Sequence, residues 1–407
     1  MALAISILAL AFAAAPAAGD AAIEAAAEAA VLRQFTARAP QRDPALDQAA
    51  RALARLALEH SAREAADPEA VAAELSRAGG WDPPPRALAV RGSPPERASE
   101  MLASHRDLAN LPATHFGVGA RSDGDLGAAV LLFTVRRAEL EPFPRAAQPN
   151  SRSELCGRLA FPLHDAQVVV SGPEGLSRPP MSPSDRRDRF CAQVRFGRTG
   201  TYTIEVEAQS AKGPEVAALF HVAAGTPAPA PRPGAERPSP ETSDTRKAEA
   251  QVLAAINGRR RADGLPPLAR SALLDSVAAD HSREMAAMGY FAHVSPVSGD
   301  VGERLRRAGF AFRRVAENLG EAESALAAER IIERSPAHLL NVLDARVTLV
   351  GVGTAKVQRG SLRNVLLTVI FASPQSPEKG AGGAPRGGRA LRRLPSRCRR
   401  ALSEPPR

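Results

Sequence analysis

From Gly225 to Pro240 the chain runs Gly-Thr-Pro-Ala-Pro-Ala-Pro-Arg-Pro-Gly-Ala-Glu-Arg-Pro-Ser-Pro. Proline lacks a backbone N–H and its ring collides with the preceding helical turn, so this run enters neither a helix interior nor a central strand. It reads as an extended linker. The last domain therefore starts near Asp244. A chain of 407 residues is long enough for two or three domains at roughly 100 to 200 residues each.

Downstream of the linker the apolar spacing is helical over about 246–261, with Val252, Leu253 and Ile256 inward, and stops at Gly264 and Pro266-Pro267. Ser271 is a good N-cap for a second helix whose face carries Leu274, Val277, Ala278, Met285 and Met288. Helices over about 301–308 and 324–334 follow, then strands near 349–357 and 365–371. Alternating helices and antiparallel strands imply an α+β sandwich.

Upstream, an Ala/Glu-rich helix over 21–35 is followed by one from Leu46 to Glu64, with Leu46, Ala49, Ala50, Leu53, Leu56 and Ala57 on one face. A third helix spans 68–78 and stops at Gly79-Gly80, a fourth spans 96–104, and strands occupy 116–135. This half repeats the other. Glu-Leu-Ser-Arg-Ala-Gly (Glu74 to Gly79) answers Arg-Leu-Arg-Arg-Ala-Gly (Arg304 to Gly309), and Ser104-His105 through Gly117-Val118-Gly119 answers Ala337-His338 through Gly351-Val352-Gly353. A duplicated domain follows. Ala89-Val90-Arg91 stands where the second copy has Ala316-Glu317-Asn318, and nothing stands for His293, so of the polar residues singled out below only His105 is kept.

Between the copies, short alternating runs (156–161, 167–170, 190–196, 202–206 and 217–222) are separated by Gly-Pro, Arg-Pro-Pro and Gly-Arg-Thr-Gly turns. Period-2 patterning at that spacing predicts a small β-sandwich. Gly200-Thr-Tyr-Thr-Ile-Glu-Val resembles the strand of immunoglobulin-like modules in which a tyrosine ties a strand corner.

Residues 1–19 form an apolar run that ends in Pro16 and small residues, a secretory leader with cleavage near Ala17 to Gly19, although no Lys or Arg precedes Arg33. No other stretch is long and apolar enough for a transmembrane segment. The expected location is secreted or periplasmic. Cys156 and Cys191 fall in one domain and are the expected disulfide, with Cys398 alone in the tail; the spacing excludes a cysteine zinc site. Seven arginines between Arg386 and Arg400 carry much of the net charge of +9. They read as a disordered basic tail, not as a specific nucleic-acid surface.

The polar residues with chemistry to offer cluster between Tyr290 and Gly353. His293 lies beside Pro296 in Gly-Tyr-Phe-Ala-His-Val-Ser-Pro, His338 lies in Ser-Pro-Ala-His, and Glu317 stands between them in sequence. Two neutral imidazoles can bind a divalent ion such as Zn or Mg, with the carboxylate as third ligand or as the group that orients a bound water. The other candidates read as structural. His281 shares the inward helix face with Leu274 and Val277, Ser295 and Ser298 suit a turn, and Glu303 with Arg304 suits a solvated helix face. No phosphate loop, HExxH or Rossmann fingerprint is present.

Taken together, Gly-Tyr-Phe-Ala-His-Val-Ser-Pro, Gly-Glu-Arg-Leu-x-x-Ala-Gly-Phe, Ala-Glu-Asn-Leu-Gly, Ser-Pro-Ala-His-Leu-Leu-Asn-Val-Leu and Val-Gly-Val-Gly resemble the bacterial branch of the CAP superfamily over about 246–372. That superfamily groups cysteine-rich secretory proteins, antigen 5 and pathogenesis-related 1 proteins. The resemblance implies an α-β-α sandwich with a surface cleft in which His293, Glu317 and His338 match the cleft residues. The second cleft glutamate has no clean match; Glu333 is the nearest candidate, and Ile332 stands where the bacterial motif has Trp.

The resulting organisation is a leader (1–19), a degenerate CAP-like copy (20–145), an immunoglobulin-like sandwich (146–224), the linker (225–243), a CAP domain (244–374) and the basic tail (375–407). The implied function is binding of a lipid, glycan or peptide in or near the His/Glu cleft. A secreted metal-dependent hydrolase with Glu317 as general base and an adhesion or scaffold protein are the alternatives.

Overall fold

The computed structural model describes residues 18–35, 39–83, 85–105, 108, 112–227, 244–359 and 362–375. The leader up to residue 17, residues 228–243 of the linker, and the tail from 376 onward, with Cys398, lie outside the described residues.

Helix α1 (Ala18–Gln34) and strand β1 (Gln41–Arg42) lead into α2 (Pro44–Glu59). Asp43 fixes the start of α2 by accepting from the amides of Ala45 and Leu46, and Pro44 sits in the first turn, where its missing N–H is not needed. Leu46, Ala49, Ala50, Leu53 and Ala57 are all fully buried, as their spacing predicts. The expected extension to Glu64 does not occur. The helix stops at Glu59 and restarts as a single turn, α3 (Ala62–Ala65), because the Ser61 hydroxyl accepts from the Glu64 amide and caps a new N-terminus. Then come α4 (Pro68–Arg77), β2 (Arg86–Gly92), α5 (Glu96–Ala103), β3 (His115–Asp123) and β4 (Leu126–Thr134). The sheet order is β1-β3-β4-β2, with β1 parallel to β3 and the other pairs antiparallel.

Eight strands follow: β5 (Ala138–Leu140), β6 (Ala146–Ala147), β7 (Ser151–Leu159), β8 (His164–Gly172), β9 (Gly175–Ser177), β10 (Arg189–Phe196), β11 (Gly200–Ser210) and β12 (Gly213–Ala224). They form two sheets, β10-β7-β5 and β6-β12-β11-β8-β9, around one core that includes Leu155, Val194, Phe196, Ile204, Val206 and Phe220. Ala138–Leu140, upstream of the boundary read at 145, belongs to this pairing. Cys191 lies directly opposite Cys156 in the β10/β7 register, and the two form the disulfide. The Tyr202 hydroxyl accepts from the Arg198 amide at 2.9 Å and lies 2.7 Å from Glu174 Oε2, tying the corner before β11.

The last part comprises α6 (Thr245–Ala262), β13 (Ala269–Arg270), α7 (Ala272–Met288), α8 (Val301–Arg307), β14 (Phe312–Ala322), α9 (Ala325–Arg334), α10 (Pro336–Val342), β15 (Leu349–Arg359) and β16 (Leu362–Pro374). Its sheet order, β13-β15-β16-β14, has the same parallel and antiparallel senses as the first sheet. Leu274, Val277 and Ala278 of α7 pack with Ile370 and Ala372 on one face. Val252 and Ile256 of α6 and Ala328 and Ile332 of α9 pack with Val350, Leu367, Val369 and Phe371 on the other. The chain is thus of mixed α+β class.

The two α/β parts also share one polar lock. Asp47 accepts from the Val118 amide and Arg42 Nε, each at 2.8 Å. Asp275 accepts from the Val352 amide at 2.8 Å and Arg270 Nε at 2.7 Å. Each lock ties the first turn of a helix to the glycine-flanked strand beneath it. The sandwich bonds to both parts, the Leu219 amide donating to Trp81 O at 2.8 Å and the Val294 amide to Lys212 O at 3.0 Å. Among the described residues no helix is long and apolar enough to cross a membrane.

Candidate functional site

Helix α7 ends at Gly289, whose φ of 72° turns the chain into the His293 loop. The Ser295 hydroxyl accepts from the amides of Val297 at 2.9 Å and Ser298 at 2.7 Å, so it shapes the turn, as its sequence context suggests. His281 is buried and its Nε2–H donates to Ala292 O at 3.0 Å, a structural role. Asp300 and Glu303 form a capping box that starts α8.

Arg304 corrects the expectation of a solvated helix face. It is 6% exposed, donates to His293 O at 3.1 Å and Gly299 O at 2.6 Å, and its guanidinium grips Glu317 Oε2. The other carboxylate oxygen, Glu317 Oε1, lies 3.0 Å from His293 Nδ1. Burial alone would raise the Glu317 pKa, yet the bond from His293 and the charge of Arg304 hold it below the ordinary carboxylate value. Glu317 is therefore a charged group with both oxygens engaged.

Successive side chains of a strand point to opposite faces, and β14 uses both. Glu317 holds the His293 loop, while Asn318 Nδ2 donates to His338 O at 3.1 Å and Asn318 Oδ1 accepts from Asn341 Nδ2 at 2.8 Å. Helix α10 starts at Ser335, whose hydroxyl accepts from the His338 amide, with Pro336 in the first turn. Burial first, and His293 second, pull the His338 imidazole down to about 3, so the ring is neutral at physiological pH. Its Nδ1 is buried and has no hydrogen-bond partner.

His293 and Glu317 are thus in direct contact, and His338 is close enough for His293 to perturb it. The donor atoms of His293, Glu317 and His338 do not all lie within 4.8 Å of one another. Glu333 does not join them. Its electrostatic neighbours are Arg259 and Asp263, which lie on α6 and at its C-cap, and burial raises its pKa.

A cleft of about 520 Å³ opens over His293 and Glu317. Part of its wall comes from the sandwich: Arg178, Glu207, Gln209 and Pro214 line it with Asp300, Phe312 and Asn341. On the same strand Glu205 is completely buried, accepting from Ser335 Oγ at 2.7 Å and the Ala337 amide at 3.0 Å. Burial pushes Glu205 up to about 7, from an ordinary value of 4.5. The folded state therefore holds this proton more tightly than the unfolded one. Its stabilising contribution is complete below about 4.5 and is lost as pH rises to about 7. In urea melts at pH 5 and pH 8, the parent is expected to lose on the order of 3 kcal/mol relative to Glu205→Gln between the two pH values. Equal pH dependence of the two proteins would refute this.

Residues 253–371 match the family model described as "CAP: Cysteine-rich secretory protein family". "Uncharacterized protein YkwD" of Bacillus subtilis is 28% identical over 117 residues, which cover 28% of this chain and 44% of that protein. The chain thus spans less than half the length of the curated relative it matches. Among solved structures, an extracellular protein containing a SCP domain from Bacillus anthracis is 18% identical, with a TM-score of 0.29, over 54% of this chain and 81% of that one. A cysteine-rich secretory protein from Staphylococcus aureus is 12% identical, with a TM-score of 0.27, over 59% of this chain and 81% of that one.

Proposed function

The domain spanning residues 253–371 belongs to the bacterial branch of the CAP superfamily, and from this premise we propose that the chain is an exported ligand-binding protein whose His293 and His338 take up a divalent ion. The observation that carries the reading is how the two rings are held. His293 Nδ1 lies 3.0 Å from a charged carboxylate, so Glu317 engages Nδ1 and Nε2 is the nitrogen left to meet an ion. His338 is neutral and keeps a buried Nδ1 with no partner. A buried polar atom without a partner is costly, and a bound group there relieves the cost. Two nitrogen donors favour zinc over magnesium.

Glu317 supports this site from outside. Held by Arg304 and His293, it orients the His293 ring, and with its pKa held below the ordinary carboxylate value it is a weak base for taking a proton from water. That favours a binding protein over the alternative of a metal-dependent hydrolase with Glu317 as general base. A bound zinc ion would supply Lewis-acid attraction for an oxygen or nitrogen of a lipid, glycan or peptide in the cleft. The Cys156–Cys191 disulfide supports export to an oxidising compartment, secreted or periplasmic. The matching sheet order and polar lock support reading residues 20–145 as a degenerate CAP-like copy that lacks counterparts of His293 and Glu317.

Calorimetry of zinc binding to the full chain tests the reading. His293→Ala and His338→Ala are expected to abolish binding, and Glu317→Gln to weaken it about 10- to 100-fold by freeing the His293 ring. If both histidine variants bind zinc like the parent, the histidines are structural and the proposal fails.

A further inference from the structure

Strand β14 is the edge of its sheet. In the order β13-β15-β16-β14 it pairs with β16 alone. On an antiparallel edge strand every second residue turns its N–H and C=O away from the neighbouring strand. Among the described residues, no backbone group of residues 312–317 makes a hydrogen bond outside the β14/β16 ladder.

The cleft opens over this edge. Val315 packs with Leu305 and Val301 on one face of the sheet, and Ala316 packs with Leu339 and Val342 on the other, so α8 and α10 lie on opposite faces. Both helices line the cleft, α8 through Gly302 and Arg306 and α10 through Ala337 and Asn341, with Phe312, Val315 and Ala316 of β14 between them. A cavity bordered from both faces of a sheet and by its last strand lies beyond that strand.

The far wall is the sandwich, through Glu207 and Gln209 of β11. Strand β11 is paired on both sides, with β12 and β8, so it offers side chains and no free backbone edge, and it cannot itself complete β14. Two bonds hold it in place. Glu205 accepts from Ser335 Oγ and the Ala337 amide, and Lys212 O accepts from the Val294 amide. A slot of about 520 Å³ therefore stays open along an unpaired edge.

That geometry selects the occupant. The outward N–H and C=O groups recur at alternate residues, about 7 Å apart, and an extended main chain presents the complementary groups at the same spacing. An acyl chain would leave them unpaired. The sheet of a second copy would bring its own helix layers, for which the sandwich wall leaves no room.

We propose that the cleft binds an extended peptide of about four to six residues, which adds to the four-stranded sheet alongside β14. Its main chain pairs with residues 312–317, and its side chains alternate between Arg306 and Phe312 on the α8 side and Asn341 on the α10 side. The proposal rests on the reading of this cleft as a ligand site, and not on the ion.

The test pans a phage-displayed library of random hexapeptides on the full chain in the presence of a chelator, then remakes the enriched sequences as capped synthetic peptides. N-methylation at alternate peptide residues is expected to weaken binding at least about 10-fold more than N-methylation at the residues between them, since a methylated amide cannot donate to the strand. Bound peptide is expected to slow amide exchange within residues 312–317 and to leave β2, the edge of the first sheet, unchanged. Gln209→Trp, which fills the slot from the sandwich side, is expected to abolish binding, and Gln193→Trp on the exposed face of β10 to match the parent; melting without peptide checks that both variants fold. Failure to enrich any peptide overturns the proposal, as does binding without the period-two pattern or indifferent to Gln209→Trp. Protection of β2 in place of β14 overturns it too, because any free edge would then suffice. Since the chelator removes zinc, peptide binding with this pattern stands even if the zinc titrations fail, and zinc binding stands if no peptide is taken up.

Discussion

Replacing Arg304 by methionine is expected to destabilise the C-terminal domain by about 3–5 kcal/mol, the cost of removing one partner from a buried ion pair. The side chains of Arg304 and Glu317 are 5% and 2% exposed, so water compensates little for the lost guanidinium. Methionine keeps the apolar stem, which confines the change to charge and hydrogen bonding. The carboxylate would be left with His293 as its one strong partner and with the full burial penalty, and its pKa would rise. The carbonyl of His293 would lose the Arg304 donor as well, and that of Gly299 would keep only the Ser295 amide. Adding Glu317→Gln should recover part of the loss, because a neutral amide does not need the cation; a double-mutant cycle measures that coupling. A loss below about 1 kcal/mol in thermal or urea melts would mean that the pair contributes little, as exposed pairs do.

The polar residues of the site were legible in sequence to different degrees, and the differences have physical causes. His293, Glu317 and His338 stand in ordered motifs, so their association could be expected before their geometry was known. Helical periodicity makes Arg304 a solvated helix residue, because its partner Glu317 lies on the next strand and periodicity does not report what lies above a helix face. Glu333 is the nearest candidate for the second cleft glutamate by its place just before the Ser335–His338 motif, yet its position on α9 turns it toward α6. Glu205 and Glu207 alternate with Ile204 and Val206 as solvent-facing residues of a two-sided strand do. Only the docking of the sandwich makes that stripe a cleft wall.

Local structure follows the same logic. Leu46, Ala49, Ala50 and Leu53 mark the buried face of α2, Ser271 marks the start of α7, and the runs over 190–196 and 202–206 mark strands, because each signal is contained in a few neighbouring residues. The break at Ser61 is hidden in the sequence because a cap competes with an uninterrupted helical pattern over Leu46 to Glu64. Strand β14 carries Arg314, Glu317, Asn318 and Glu321 amid apolar residues, and both of its faces find polar partners. It therefore lacks the alternation by which a half-buried strand is recognised.

Gly353→Ala is expected to cost about 4 kcal/mol or more and to abolish zinc binding without touching any proposed ligand. A Cβ at Gly353 would lie 2.0 Å from the Ala279 amide nitrogen, and one at Gly351 would lie 2.3 Å from Leu274 C. These are backbone atoms of α7, so no rotamer change relieves the clash, and helix and strand must separate. That exceeds the about 1–3 kcal/mol usual for overpacking a core with a mobile side chain. It also pulls α7, and with it the His293 loop, away from β14. The first α/β part makes the same demand: a Cβ at Gly119 would lie 2.1 Å from the Arg51 amide nitrogen and one at Gly117 2.3 Å from Leu46 C. Gly119→Ala should therefore destabilise residues 20–134 by a similar amount while zinc binding survives below the melting temperature, because His293 and His338 both lie outside that part. Calorimetric melting and zinc titration of the two variants distinguish the cases. Mild effects of both substitutions would mean that helix and strand can slide apart cheaply, and loss of zinc binding in Gly119→Ala would mean that the site depends on the first α/β part after all.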